Sequence, residues 1–280
     1  MNYLRHEDYP WNHRGIASEV DLRNATVELP AELRAALIVH VGSDLAGWEQ
    51  IRPYVQNVVL ALGSQVEILV SVAQTPDAEQ LLQAITASLQ QHKKSTVTIL
   101  ENRGMDVGPF LWMLNLLRLR PLGQQPDIIL KLHTKTNHAW RTHLCEPLFA
   151  TPLRVGQLVT LLLRSPSVGM LGSRYNLYNT LQHCGPNRPF VDAYLRSFGY
   201  APLSQQPAHR QGRLRFVGGT VFIAKMEAFT HNLNAVDLFS WQLELPLGRS
   251  NDRTEPQRTH ALERILGIIV QCQGYQLLAV

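Results

Sequence analysis

The first half of the chain alternates short apolar runs with longer segments in which apolar residues recur at helical spacing. Four runs have the length and β-branched content of buried strands, at 35–41, 66–72, 96–100 and 127–132. Helices are predicted between them, at 45–62, 77–91 and 109–119. This order is typical of parallel βαβ units, so the sequence predicts an α/β fold with a mostly parallel sheet flanked by helices.

The second half is less regular. Its pattern predicts a helix at 153–164, a strand at 168–172, one continuous strand at 216–224, a helix at 260–271 capped by Thr259, and a last strand at 275–280. Residues 1–34 are polar and irregular, and 174–213 form a polar excursion over one face. We therefore divide the chain into an N-terminal arm, 1–34, and one domain, 35–280.

Composition narrows the class of protein. With 45% hydrophobic and 17% charged residues among 280, the chain is globular. A net charge of +4 favours anionic ligands but is too small to indicate a nucleic-acid-binding protein, and we expect no nucleic-acid partner. Cys145, Cys184 and Cys272 are too few and too widely spaced for a disulfide framework or a zinc site, so we interpret them as reduced thiols. No signal peptide and no run of about 18 apolar residues is visible, which predicts a cytoplasmic protein with at most peripheral contact at the inner membrane face.

Two polar motifs directly follow predicted strands, where parallel sheets bind ligands. In the first, Arg103 offers a guanidinium fork to a phosphate, Gly104 permits close backbone approach, and Asp106 can accept hydrogen bonds from a sugar or a base. The alternative is a structural turn in which Asp106 caps the next helix. In the second motif, at 131–143, the basic side chains at the strand end suit a diphosphate, and the alternative is a solvated basic face.

Two further segments are candidates. Gly218 and Gly219 lie inside a predicted strand, where glycine indicates either ligand approach or tight sheet packing. His260 and Glu263 are three residues apart on a predicted helix, so they share one face, and Gly267 continues it. A carboxylate at the edge of the core can act as a general base, and the alternative is an ordinary exposed glutamate.

These segments together resemble the rhamnan synthesis protein F family, in order and spacing over roughly residues 35–276. The motifs that carry the resemblance are matched by Asn102, Arg103, Gly104, Asp106, Pro109, Phe110 and Leu111; by Lys131, His133, Thr134, Lys135, Trp140 and Arg141; by Pro166, Gly169 and Met170; by the strand at 217–224; and by His260, Glu263, Arg264, Gly274 and Tyr275.

The resemblance implies a GT-A-like glycosyltransferase of rhamnose-polysaccharide and lipopolysaccharide assembly. It implies a nucleotide-sugar donor, dTDP-rhamnose, and a glycan or lipid-linked glycan as acceptor. The donor and its diphosphate would be bound by Asn102, Arg103, Gly104, Asp106, His133, Thr134 and Lys135. The sugar pocket would be shaped by Gly218, Gly219 and Thr220, and the catalytic pair would be Glu263 with His260 beside it.

One departure from GT-A enzymes bears on the mechanism. The sequence contains no Asp-x-Asp, the motif that holds a divalent metal in that fold, and has His133-Thr134-Lys135 at the equivalent place. We therefore expect no metal and no cofactor, with cationic side chains offsetting the diphosphate charge. The same departure leaves open a non-catalytic carbohydrate- or nucleotide-binding module of a polysaccharide-synthesis complex. A phosphotransfer enzyme is a third alternative, against which the absence of a P-loop counts.

Overall fold

The computed structural model describes Leu22 and residues 25–42, 44–134, 137–233, 236–248 and 258–280. Its strands are β1 Ala35–Val41, β2 Val66–Ala73, β3 Ser95–Leu100, β4 Ile128–His133, β5 Val168–Gly172, β6 Leu177–Asn179, β7 Arg215–Val217, β8 Phe222–Lys225 and β9 Gln276–Ala279. Its helices are α1 Leu45–Leu62, α2 Ala78–Ser88, α3 Val107–Arg118, α4 His138–Phe149, α5 Pro152–Arg164, α6 Thr180–His183, α7 Arg188–Ser197, α8 Pro207–Arg210, α9 Glu227–Leu233, α10 Leu238–Leu243 and α11 Arg258–Cys272.

The described residues form one seven-stranded sheet in the order β3-β2-β1-β4-β8-β5-β9 and a two-stranded sheet of β6 and β7. The pairs β1–β2, β1–β4, β2–β3 and β5–β9 are parallel, whereas β8 is antiparallel to both β4 and β5. The strands β4 and β5 therefore run in the same direction, and their carboxyl ends lie at one edge of the sheet, together with the amino end of β8. The predicted α/β class with a mostly parallel, helix-flanked sheet is confirmed.

Helices cover both faces of this sheet. On one face, α1, α2, α4 and α5 pack against strand residues such as Leu37 and Val39. On the other face, α3, α7, α10 and α11 pack against strand residues such as Ile38 and Ile129. The alternation along β1 follows from the two-residue side-chain period of a strand, and it explains why the buried strands are apolar on both sides.

The elements of the first half are confirmed to within a few residues at each end, but two predictions in the second half are wrong. The continuous strand at 216–224 is interrupted by a turn, so that β7 pairs with β6 and only β8 joins the main sheet. The reason is the backbone at Gly219 and Thr220, whose φ angles of 77° and 50° are incompatible with a strand. Thr259 lies inside α11 and does not cap it.

The described end of the arm lies on α5. The Gln157 side-chain amide donates hydrogen bonds to the carbonyls of Leu22 and Ala25, at 3.0 and 2.9 Å, and the Glu28 amide donates to Thr160 at 3.1 Å. The excursion at 174–213 contains β6 and α6 to α8, and its α7 packs against α11. The division into arm and domain stays a prediction. Among the described residues, none of the helices combines the length and the apolar character needed to span a bilayer.

Candidate functional site

Polar side chains replace apolar ones at the carboxyl ends of three adjacent central strands. Nearer the middle of these strands, Ile38, Leu69 and Ile129 belong to the core under α3 and α11. The next residues on the same face are His40 in β1, Ser71 in β2, and Lys131 followed by His133 in β4. Each of them is at least nine-tenths buried. The strand period therefore directs four polar groups to the same covered edge of the sheet.

Asp106, immediately before α3, is the centre of this polar set. The Lys131 Nζ lies 2.7 Å from Asp106 Oδ2 and 2.8 Å from Thr220 Oγ1. The Thr220 hydroxyl donates to the same carboxylate oxygen, and His133 Nδ1 lies 3.3 Å from it. Asp106 occupies the N-cap position of α3, as the alternative interpretation predicts, but its side chain makes no capping hydrogen bond to the helix. We call Asp106, Lys131, His133 and Thr220 the buried polar cluster.

Burial makes the charge balance of this cluster important. The Lys131 and His133 side chains are each 1% exposed and that of Asp106 is 10% exposed. A buried ammonium is stabilised only when a carboxylate and hydrogen-bond acceptors surround it, and Asp106 with Thr220 meets this requirement. The Lys131 ammonium also lies 5.3 Å from the centre of the Phe110 ring, which adds a cation–π contact.

The turn that carries Thr220 links the buried polar cluster to α11. A β-branched residue with φ of 50° is a backbone outlier that persists only where its surroundings hold it in place. Here the Thr220 hydroxyl is held by Asp106 and Lys131. The preceding amide, of Gly219, donates to the Glu263 carboxylate. The predicted sugar-pocket residues and the predicted base are thereby brought together.

The surroundings of Glu263 are defined by its own helix. Its Oε2 lies 3.6 Å from Arg264 Nη1, and the two side chains are 19% and 14% exposed. Arg264 in turn donates to the carbonyl of His183 at 3.0 Å and to the carbonyl of His260. His260 lies one turn before Glu263 on α11 and is partly exposed.

The segment with Asn102, Arg103 and Gly104 is bound to residues 243–248. Arg103 Nε donates to Glu101 at 2.6 Å, and its Nη1 donates to the carbonyls of Leu243 and Leu245, both at 3.3 Å. The backbone of 102–104 bonds to that of 246–248. At Gly104, where φ is 63°, an added Cβ would lie 2.4 Å from the Leu245 side chain. These contacts are structural, and a donor-binding role for the three residues stays a prediction.

The end of β4 is tied to that of β1. Thr134 accepts a bond from the Gly42 amide at 2.8 Å, and its own amide donates to the His40 carbonyl at 3.0 Å. His40 Nδ1 lies 3.0 Å from Ser71 Oγ. Lys135 lies outside the described residues, so its predicted role stays a prediction. His40, Ser71 and the partnership of Lys131 with Asp106 were not predicted, although the polar interruption of three apolar strands on one face signals them.

The donor set of the site does not resemble a metal centre. The buried polar cluster offers an ammonium, an imidazole, a hydroxyl and a single carboxylate. Across the described ranges, no group of three or more His, Cys, Asp and Glu side chains is placed to hold a metal ion.

Sequence comparison gives distant relatives. No family model matches the chain, so the resemblance to the rhamnan synthesis protein F family stays a prediction. Over 232 residues, 80% of its length, the chain is 26% identical to a protein of Xanthomonas campestris pv. campestris strain B100 named "Uncharacterized protein WxcX". The same protein from strain ATCC 33913 matches equally. The chain spans 30% of the length of these relatives.

Solved structures with a similar course of the chain include glycosyltransferases. The galactosyltransferase LgtC, in complex with donor and acceptor sugar analogues, is 11% identical, with a TM-score of 0.42 over 86% of this chain and 72% of LgtC. The mannosyltransferase Ktr4p of S. cerevisiae is 9% identical, with a TM-score of 0.39 over 91% of this chain and 67% of Ktr4p. Similarity at this level does not assign an activity.

Proposed function

We propose that the chain is a glycosyltransferase that moves a sugar from a nucleotide-diphosphate donor, dTDP-rhamnose, to a glycan or lipid-linked glycan. The observation that carries the proposal is the meeting of Asp106, His133, Thr220 and Glu263 at the edge of the sheet where parallel strands bind ligands. A carboxylate, an imidazole and a hydroxyl side by side provide the hydrogen-bond acceptors and donors that a sugar and its phosphate leaving group require.

Some charged side chains of the site are assigned to binding the donor, and others to holding the fold. The ammonium of Lys131 is matched by Asp106 at 2.7 Å, so this pair adds little net charge to the site. The positive charge that stabilises the departing diphosphate is therefore assigned to His133 and Lys135, at the end of β4, in place of a metal ion. Asp106 orients a hydroxyl of the donor while it holds Lys131.

The acceptor would be activated by Glu263. Its Oε1 accepts the Gly219 amide, which fixes the carboxylate beside the turn that leads to Thr220. Its Oε2 takes the proton of the acceptor hydroxyl, whose oxygen then attacks the anomeric carbon as the nucleotide diphosphate leaves. One base and an in-line approach of this kind give inversion at the anomeric carbon.

The test is donor turnover and transfer in the presence of EDTA. Wild-type protein should remain active, and Glu263→Gln should lower transfer by about 100-fold or more, the usual contribution of a general base, with unchanged donor affinity. The matched control is Glu79→Gln on α2, an exposed glutamate on the opposite face of the sheet. Activity that is lost in EDTA and restored by Mn²⁺ contradicts the metal-free mechanism, and unchanged turnover removes Glu263 from it.

One observation favours the alternative of a binding module without catalysis. Both carboxylates of the site already have partners in the chain, Asp106 in Lys131 and Glu263 in the Gly219 amide. Calorimetry with dTDP and UDP beside a turnover assay separates the two functions. Tight binding without turnover supports the module.

A further inference from the structure

The outward face of α3 carries apolar side chains. Trp112, Leu116 and Leu119 are spaced at i, i+4 and i+7, so they lie on one face of the helix. Leu116 is 42% exposed and Leu119 is 66% exposed, whereas the residues on the other faces of α3 are mostly buried. A surface helix is normally polar on the face that it turns to water, so the apolar outward face of α3 requires an explanation.

Helix α10 extends this apolar surface. Its Phe239 ring lies 4.6 Å from the Trp112 ring, measured between centres. Leu243, one turn after Phe239, is 64% exposed. We call these side chains the apolar stripe: Trp112, Leu116, Leu119, Phe239 and Leu243.

The two helices of the apolar stripe run antiparallel. Arg118, at the end of α3, donates to the carbonyl of Val236, just before α10, at 3.3 Å. Arg103, before α3, donates to the carbonyl of Leu243, at the end of α10, at 3.3 Å. The stripe is therefore carried by a layer of two adjacent helices, the kind of layer that packs against a second pair in a four-helix arrangement.

The apolar stripe is large for a surface that stays in water. Leu122, after α3, is 84% exposed and Leu247, after α10, is 63% exposed, so they prolong the stripe at its two ends. The five exposed leucines leave on the order of 600 Å² of apolar surface in water, at the upper end of what a monomer exposes in one patch. With the partly exposed rings of Trp112 and Phe239, the surface approaches the roughly 800 Å² that each partner contributes to a standard interface.

The charged side chains beside the apolar stripe are offset within the chain. The ion pairs are Arg120 with Glu67 at 2.6 Å, Arg103 with Glu101 at 2.6 Å, and Arg258 with Glu244. The charges of Arg118 and Asp237 also act on each other. An anionic membrane is attracted by an excess of basic side chains, which these pairs do not provide. A second copy of the same surface, in contrast, meets little electrostatic repulsion.

We propose that the apolar stripe is the contact surface of a homodimer. The helices α3 and α10 of one copy pack against the same helices of a second copy about a two-fold axis, the commonest symmetry of soluble oligomers. An apolar surface with balanced charges is complementary to itself, and its burial removes the exposed leucines of both copies from water. The homodimer does not depend on the proposed sugar transfer.

The experiment is sedimentation velocity on the wild-type protein, which should have twice the mass of one chain at high concentration. Leu116→Lys/Leu119→Lys should weaken the dimer by about 100-fold or more, because like charges then meet across the axis. Both leucines are exposed, so the melting temperature of the monomer should change little. The matched control is Leu60→Lys/Leu153→Lys on α1 and α5, which changes leucines that are 73% and 62% exposed on the opposite face of the sheet and should leave the dimer intact.

A complementary pair of variants tests the two-fold arrangement. Leu116→Glu/Leu119→Glu should also be monomeric, and an equimolar mixture of the lysine and glutamate variants should dimerise again, because opposite charges then meet. A mixture that stays monomeric, or a dimer that persists in each variant alone, overturns the proposed contact.

The wild-type protein alone can also overturn the homodimer. If it stays monomeric at the highest concentration reached, flotation with vesicles of phosphatidylcholine, with and without phosphatidylglycerol, identifies the other occupants. Vesicle binding that the lysine variant loses makes the apolar stripe a membrane surface. A monomer that binds no vesicles shows that the stripe has no second copy and no membrane as its partner.

Discussion

Removing Lys131 tests the central physical claim about the site, that one buried ion pair holds three parts of the fold together. Asp106 comes from the segment before α3, Lys131 from β4 and Thr220 from the turn before β8. Lys131→Met keeps most of the length of the side chain but leaves the Asp106 carboxylate facing an apolar group. Within the buried polar cluster, the Asp106 carboxylate then keeps the Thr220 hydroxyl and His133 as partners.

The expected cost follows from burial. The Lys131 side chain is 1% exposed and that of Asp106 is 10% exposed, so little water replaces the lost partner. Breaking a buried pair from one side costs about 3–5 kcal/mol, a large part of the roughly 5–15 kcal/mol that stabilises a domain. Asp106→Asn should cost a similar amount, because it leaves an ammonium buried. The double variant removes both charges, so its cost should fall short of the sum by about 1–3 kcal/mol.

The assay is urea unfolding at pH 7 followed by circular dichroism, with the slope m compared among variants. Arg164→Met is the matched control, because the Arg164–Glu28 pair has side chains that are 58% and 55% exposed. That change should cost less than about 1 kcal/mol. If Lys131→Met does not fold, Asp106→Asn and the double variant still give the comparison. A cost below about 1 kcal/mol for Lys131→Met, or strict additivity in the double variant, refutes a dry and coupled pair.

Two further predictions concern α11 and its neighbours. Burial, and then the positive charge of Arg264 or Arg188, lowers the pKa of His183 and His209, so at mildly acidic pH the unfolded chain binds more protons than the folded one. The unfolding free energy of the wild-type protein should therefore fall as the pH drops through about 6.5. The double variant His183→Gln/His209→Gln should lose less. Equal slopes of unfolding free energy against pH for the two proteins, between pH 7.5 and 5.5, would count against this. Gly267→Ala should cost about 1–3 kcal/mol, against the usual gain inside a helix, because its Cβ would lie 2.7 Å from Phe216 Cα. Gly123→Ala, with no atom within 4 Å, should change the unfolding free energy by less than about 0.5 kcal/mol.

The sequence predicts the first half of the fold well for a physical reason. Strands such as β1 and β2 are buried on both faces, so they appear as unbroken apolar runs separated by helical periodicity. In the second half, the prediction of a continuous strand at 216–224 is wrong because a turn lies inside an apolar run. Gly218, Gly219 and Thr220 are flanked by apolar residues, and only the paired glycines indicate that the chain reverses there.

The candidate site was predictable in part. The rule that ligands bind at strand ends predicts Asp106 and His133 at one edge of the sheet. In the structure, His133 Nδ1 lies 3.3 Å from Asp106 Oδ2. The rule does not distinguish a side chain that binds ligand from one that binds another loop. The Arg103 guanidinium donates to the carbonyls of Leu243 and Leu245, and its contact with a phosphate stays a prediction. Such long-range partners depend on tertiary contacts between segments about 140 residues apart, which no local pattern encodes.

The pairing of Lys131 with Asp106 changes what the basic motif at the end of β4 can do. Counting lysines and histidines there suggests an excess of positive charge, but the one lysine described is neutralised inside the fold at 2.7 Å. Since a neutral pair cannot offset a diphosphate, its contribution is to fix Thr220 and the following strand at the site. Stabilising the negative charge of the leaving diphosphate at this edge therefore requires a protonated His133 or Lys135. A transferase of this kind would lose that stabilisation if both side chains were neutral.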